Sequence, residues 1–323
     1  MKFVYILISS DKDFYAEEAL VSMYSLKNHN PGGEIILVSD ENTLESLKGN
    51  RGRIHDYVDK YITVNPPANL TQVQKSRFLK TSIRRLIEGD FLYMDNDTVV
   101  YGSLNDIFIS TGDICAVLDK HLTDENQIIS HNKIRKYFEC LGQEKLLSLT
   151  IGDYFNGGIL YVRDSEQAHD FFNKWHELWL AGSRHGINYD QPALWYTNFQ
   201  MNGIITPLEG VYNCQIRNRQ SIQYLEDCRI LHYFSDIKHY QSFFMQDKKN
   251  LQYIRDNGLD RRITNLIDNI KCDFGTQDMI ILKDNELEIY NSPLVVLARK
   301  FSRDFPLTNK LAKACYRLFG YKI

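Results

Sequence analysis

Short apolar runs alternate along this chain with segments of helical period. Phe3 to Ile8 is an unbroken apolar run of strand length, a pattern expected of a strand buried on both faces. Tyr15 to His29 then places Ala19, Leu20, Met23 and Leu26 at helical spacing, and Glu34 to Val38 follows Pro31-Gly32-Gly33 as a second strand. Strand, helix and strand in that order predict a right-handed βαβ unit. Further strands are expected at Tyr61 to Val64, Phe91 to Met94, Asp113 to Leu118 and Gly158 to Val162. Helices are expected at Arg77 to Ile87 and Ser165 to Leu180, the second with Trp175 and Trp179 on its core stripe. The fold class is α/β.

From about Asp247 the texture becomes charge-rich, so a domain over 1–245 and a helical extension over 246–323 are expected. The last segment, from Asn291, holds seven Lys or Arg against one Asp, with Leu311, Ala314, Cys315, Leu318 and Phe319 at helical spacing. Such a basic amphipathic helix either lies on an anionic membrane surface or docks on its own domain with the charges in water.

Composition narrows the partners. The 323 residues are 43% apolar and 24% charged with a net charge of −3, which is ordinary for a globular protein and gives no reason to expect nucleic acid as a partner. Six scattered cysteines without Cys-x-x-Cys spacing read as reduced thiols in a cytoplasmic protein. The N-terminal apolar run is too short for a signal sequence, and no stretch approaches the ~20 apolar residues of a membrane span.

Candidate chemistry begins where the Phe91–Met94 strand ends in Asp95-Asn96-Asp97. A buried strand that delivers carboxylates to its C-terminal edge presents hard oxygen ligands where open α/β sheets bind theirs; an Asp-rich turn is the alternative. Four other segments join it. Ile8 to Tyr15 brings small, acidic and aromatic residues to a strand end, the half-crevice suited to a nucleotide. Tyr154-Phe-Asn-Gly-Gly158 sets the Asn156 amide beside two glycines that allow close backbone approach. Asp190-Gln191 precedes a proline-started helix, where Asp190 is either an N-cap or a grip for hydroxyls. His232 ends an apolar run, and an imidazole can join two carboxylates around a manganese-like ion; Lys238 follows it as a point charge for phosphates.

Taken in order, these segments resemble the family-8 glycosyltransferases, retaining metal-dependent enzymes such as bacterial lipopolysaccharide galactosyl- and glucosyltransferases and, more distantly, glycogenin. The resemblance covers roughly residues 2–242. It implies a GT-A fold, a mixed and mainly parallel sheet flanked by helices, with a C-terminal helical extension. It also implies that Asp95, Asp97 and His232 hold Mn²⁺, or Mg²⁺ in its place, against the diphosphate of a UDP-sugar. Asp95, Arg77, Asn156 and Gly157 would line the sugar pocket, and Asp190 with Gln191 would hold sugar hydroxyls. Lys238 would bind the diphosphate, while Ser9, Asp11 and Tyr15 flank the uridine and Asn96 stands with them at the donor. The implied reaction moves a hexose to a saccharide or lipid-linked acceptor such as lipopolysaccharide or capsule, and the basic C-terminal segment, if it lies on a membrane, would place the protein at the inner face of the plasma membrane. The chain departs from the family's closing His-Tyr-x-Gly-x-x-Lys-Pro-Trp motif, with Ser235 for the Gly and His239-Tyr240 for the Pro-Trp.

Two other functions fit parts of the pattern. Haloacid-dehalogenase-type phosphatases also end a strand in Asp-x-Asp, but with a Thr four residues after the first Asp, whereas Thr98 is three after Asp95. A non-catalytic nucleotide-sugar-binding protein would account for the altered closing motif.

Overall fold

The computed structural model describes residues 1–121, 132–148, 153–216, 219–234, 243–269 and 292–304. The expected opening unit is present: β1 (Lys2–Leu7), α1 (Tyr15–His29) and β2 (Glu34–Ser39), with β1 and β2 parallel. α2 (Glu41–Ser46) is capped by Asp40, whose Oδ1 accepts the Thr43 N–H, and β3 (Lys60–Thr63) pairs parallel to β2.

α3 runs over Gln72–Ser82 and not from Arg77 as its apolar spacing suggested. The reason is a capping box: Thr71 accepts the Gln74 N–H while the Gln74 side chain reaches back to the Thr71 N–H, satisfying two helix-end donors. β4 (Phe91–Met94) and β5 (Thr98–Val100) follow, then β6 (Ile114–Leu118), α4 (Asn132–Cys140) and β7 (Phe155–Val162). Ser165 caps α5 (Glu166–Arg184), and α6 (Gln191–Gln200) precedes the short strands β8 (Ile205–Pro207), β9 (Cys214–Gln215) and β10 (Ile230–His232).

Seven strands form one sheet in the order β3-β2-β1-β4-β7-β6-β8, and β5-β10-β9 make a second, smaller one. β1 to β4 are parallel, while β7 runs antiparallel between β4 and β6. The sheet is therefore mixed, as the GT-A expectation requires. β1 lies between β2 and β4, so the chain order reverses there and opens a crevice at the carboxyl ends of β1 and β4. Every residue of β4 and β7 is buried, and the aromatic side of the core, Phe171, Phe172, Trp175 and Trp179, comes from α5.

One compact unit spans Met1–Asp273 and a second Phe274–Ile323. The boundary expected at 245 thus falls within the first unit. α7 (Lys248–Asn257) and α8 (Arg261–Asp268) lie beyond that boundary, and Arg255 of α7 is bound to the β1–α1 loop. In the second unit the described residues include a helix over Pro293–Asp304 that exposes Leu294, Val296 and Leu297. The basic positions beyond residue 304 lie outside the described residues. No helix among the described residues is long and apolar enough to cross a membrane.

Candidate active site

A cavity of about 460 Å³ opens at the crevice between β1 and β4. Its lining includes Tyr15, Arg77, Asp95, Asn96, Asp97, Asn156, Gly157, Asp190, Gln191 and His232, residues separated by more than two hundred positions in sequence. A second cavity of about 230 Å³ shares Ile8 and Gln72 with the first and is bordered by Ser9, Ser10, Asp40 and Lys75. Lys238 and the altered positions Ser235, His239 and Tyr240 lie outside the described residues.

The floor of the main cavity is the β4–β5 turn. The Asp95 N–H donates to the Gly158 carbonyl at 2.8 Å, extending the β4–β7 ladder one residue past the strand. Thr98 Oγ1 donates back to the Asp95 carbonyl, and Asn96 Nδ2 donates to Ile6 O on β1 at 3.0 Å. Asn96 Oδ1 is buried with no hydrogen-bond partner, an acceptor left over at the cavity wall. Asp97 turns toward β10, where its Oδ1 is 3.3 Å from His232 Nε2.

Asp95, Asp97 and His232 can offer ligand atoms that all lie within 4.8 Å of one another. Two carboxylates and an imidazole suit a divalent ion of the Mn²⁺ type. The Asp97–His232 contact adds a chemical requirement: two lone-pair atoms at that separation need a proton or a cation between them. The donor set therefore fits the expected metal.

Gly158 explains how β7 can run beneath this corner. A Cβ there would lie 2.4 Å from His232 Cε1 and 2.9 Å from Asp95 Oδ2. Gly157 differs, since a Cβ would meet Lys80, Asp190 and Leu194 only at ordinary contact distances. The first glycine makes room for protein and the second leaves the cavity wall open.

The other wall carries a charge cluster. Asp190 stands at the N-cap position of α6 but makes no capping hydrogen bond. Its carboxylate turns inward, with Arg77 Nε 3.3 Å from Oδ1 and Lys80 Nζ 3.3 Å from Oδ2. Burial alone would raise the Asp190 carboxyl, but Lys80 and Arg77 outweigh it and hold it below the usual range. Burial likewise disfavours the Arg77 charge, and Asp190 and Asp95 more than restore it. Lys80 also reaches Asp95 Oδ1 at 3.2 Å. Tyr93, kept neutral by burial and by Asp95, donates its hydroxyl to the same oxygen. Gln191 Nε2 is tied to Phe155 O at 3.4 Å.

The sequence reading missed Lys80, a 3%-exposed cation at the centre of the site. The available signal was its place three residues after Arg77 on one helix, which puts both on the same face. At the nucleotide end the structure separates the candidates. Ser9 is buried and Tyr15 lines the main cavity, whereas the Asp11 side chain is 86% exposed, paired with Arg51, and borders neither cavity. Asp13 organises that loop: its carboxylate accepts from Ser9 Oγ at 2.6 Å, the Ser10 N–H at 2.8 Å, the Tyr15 N–H at 3.1 Å and Gln72 Nε2 at 2.6 Å. Although burial pushes the other way, these donors lower its pKa.

The chain has the GT-A fold of nucleotide-sugar transferases. Two crystal structures of the galactosyltransferase LgtC resemble it at 16% identity. An active-site mutant matches with a TM-score of 0.53, covering 78% of this chain and 95% of its own. A complex with donor and acceptor sugar analogs matches with a TM-score of 0.51, covering 88% and 98%. The sequence profile of glycosyl transferase family 8 matches residues 5–242, and the protein belongs to that family. Among curated proteins none matches the chain. A glycosyltransferase fold and family leave the phosphatase alternative without support.

Proposed function

We propose that the protein is a retaining, metal-dependent hexosyltransferase that takes its sugar from a UDP-sugar. The observation that carries this reading is the convergence of Asp95, Asp97 and His232 on the floor of the same cavity whose wall holds Arg77, Lys80 and Asp190. In this reading Asp95, Asp97 and His232 hold Mn²⁺ or Mg²⁺. Such an ion would supply positive charge to the diphosphate as it leaves. Lys238 is assigned to the same diphosphate on sequence grounds.

Ser9, Tyr15 and the free Asn96 carbonyl border the space assigned to uridine, and Asp11, which borders neither cavity, is left out of that assignment. Arg77, Lys80, Asp95, Gly157 and Gln191 enclose the space assigned to the sugar. Asp190 accepts from sugar hydroxyls while Arg77 and Lys80 keep it ionised. Two cations on one carboxylate also blunt it as a nucleophile, so retention is assigned to attack by the acceptor on the face the diphosphate leaves.

A UDP-release screen over UDP-galactose, UDP-glucose and UDP-N-acetylglucosamine, with Mn²⁺ and with chelator, tests the proposal. At least one donor should release UDP only with metal; release from none, or release indifferent to chelator, would sink it. The acceptor is proposed to be a cell-surface saccharide, lipid-linked or in lipopolysaccharide, reached by a protein peripheral to the cytoplasmic face of the membrane. The basic positions after Asn291 support that placement. Truncation after Tyr290 should abolish sedimentation with anionic liposomes, and unchanged sedimentation would remove the membrane from the proposal.

A further inference from the structure

The imidazole of His232 is approached from behind by a run of amides whose polarity can be followed link by link. It starts at a group whose role is fixed, the backbone N–H of Gly158, which donates to Asn156 Oδ1 at 2.9 Å. The other end of that amide agrees, since Asn156 Nδ2 donates to the Asp119 carboxylate at 3.0 Å. Asn156 Oδ1 also accepts from Asn213 Nδ2 at 3.0 Å. The remaining atom of the Asn213 amide is therefore its carbonyl, and this faces His232 Nδ1 at 3.0 Å. A carbonyl oxygen can only accept, so Nδ1 carries the proton in the neutral ring. Nε2 is left with its lone pair directed toward Asp97.

The arrangement is buried and held by the sheet. Asn213 is fully buried, and Asn156 and His232 are 5% and 2% exposed. Asn213 ends a 3-10 turn over Gly210–Asn213 and leads directly into β9, whose Cys214 and Gln215 stand opposite Leu231 and His232 of β10. Phe234 stacks on the imidazole at 4.0 Å between ring centres. The space a Gly158 side chain would need is filled by the ring. Rotation of the ring to present the other nitrogen would break the Asn213 bond.

We propose that Asn213 is a positioning residue that fixes His232 as the Nδ1–H tautomer and thereby keeps Nε2 free for a divalent cation. Asn156, expected to face the sugar, has its carbonyl committed to orienting Asn213. The tautomer assignment stands on the hydrogen bonds alone; only its consequence for cation binding rests on the proposed function. Loss of a partner behind a ligating histidine typically weakens metal binding by about 10–100-fold.

The test uses full-length protein labelled with ¹⁵N-histidine, with His232→Gln to assign the ring signals, and Mn²⁺ titrations followed by the EPR signal of the free ion. At a pH where the ring is neutral, His232 should give the Nδ1–H pattern. Asn213→Asp keeps an oxygen facing Nδ1, although its second oxygen then meets Asn156 Oδ1 with no donor between them, and it should keep the Nδ1–H tautomer. Asn213→Leu should mix the tautomers and weaken Mn²⁺ about 10–100-fold. An Nε2–H pattern in the unmodified protein overturns the proposal. So does an Asn213→Leu protein unchanged in both readouts, or an Asn213→Asp protein whose tautomers mix as fully as those of Asn213→Leu. If Asn213→Leu does not fold, the unmodified ring and Asn213→Asp decide. An Nδ1–H ring in a protein that binds no Mn²⁺ would uphold the tautomer assignment and overturn the cation site instead.

Discussion

Glu17 and Asp190 are both buried carboxylates that meet two cations, yet one belongs to the scaffold and the other to the cavity. Arg255 Nε and one of its terminal nitrogens grip the two Glu17 oxygens at 2.7 and 3.1 Å, and Arg51 Nε adds a contact at 3.1 Å. Arg255 also donates to the Asp11 and Asp13 carbonyls and lies over the Phe14 ring. Both Glu17 oxygens accept hydrogen bonds from Arg255, the cluster borders neither of the two cavities, and its product is a fixed β1–α1 loop. Around Asp190 both contacts are 3.3 Å, and Oδ2 has an ion partner but no well-aligned hydrogen bond. Buried polar capacity left over beside an open space is what a ligand can use. The same charges therefore make a clamp in one place and a binding surface in the other, and the difference lies in how completely the hydrogen bonds are spent.

Paired substitutions should split the two clusters, and this is the largest effect expected. Asp190→Asn removes the charge assigned to the reacting sugar in the proposed function, so kcat/KM for donor turnover should fall by about 10²–10³-fold. Glu17→Gln leaves Arg51 and Arg255 facing a neutral group and should cost about 3 kcal/mol of stability, while kcat of the folded protein stays near its original value. Measured together, equal losses of activity and of melting temperature in the two variants would erase the distinction.

A smaller, pH-dependent effect tests the wall on which Arg77 and Lys80 stand. His176 lies behind it, with Nδ1 2.7 Å from Thr81 Oγ1 on the same helix. Burial pushes its ring down from 6.5 to about 4, and His121, which accepts the Gln215 N–H, is lowered to about 4 for the same reason. Between pH 6.5 and 4 the unfolded chain takes up protons that these folded rings refuse, so stability falls as pH is lowered through that window and is level in this respect above it. Melting curves across the window should show the fall, and His176→Gln should flatten part of it. An unaltered slope in that variant would detach His176 from the effect.

How much of this was legible in sequence depended on how far each residue's role was local. The β4 run ending in Asp95 and Asp97 was readable because burial and the acidic stop are adjacent in the chain. Ser165 could be placed as a helix start for the same reason. His232 sits in a three-residue strand that has no periodicity of its own; its residue type at the end of an apolar run made it a candidate, and the family resemblance joined it to Asp95 and Asp97. Lys80 lay within the expected helix, but a helical lysine ordinarily faces water, and the partners that bury it, Asp95 and Asp190, come from distant segments. Asn213 gave no signal at all: an amide at the end of a 3-10 turn acquires its role from Asn156 and His232, and those contacts exist only after folding. At the nucleotide end the loop was legible but its hub was not, because Asp11 and Asp13 differ in their partners and not in their residue type.

The antiparallel pairing of β4 with β7 sets Met94 against Ile159, and the next bond joins Asp95 to Gly158. Side chains alternate between faces along each strand, so the corner depends on counting as much as on chemistry. Deleting one residue within Phe91–Met94 would carry Asp95 to the opposite face, and inserting one into Ile159–Val162 would bring a side chain to the place where His232 needs none. This part of the gene should therefore accept many apolar exchanges and reject changes of length, a pattern of tolerance that a deep insertion and deletion scan would display directly.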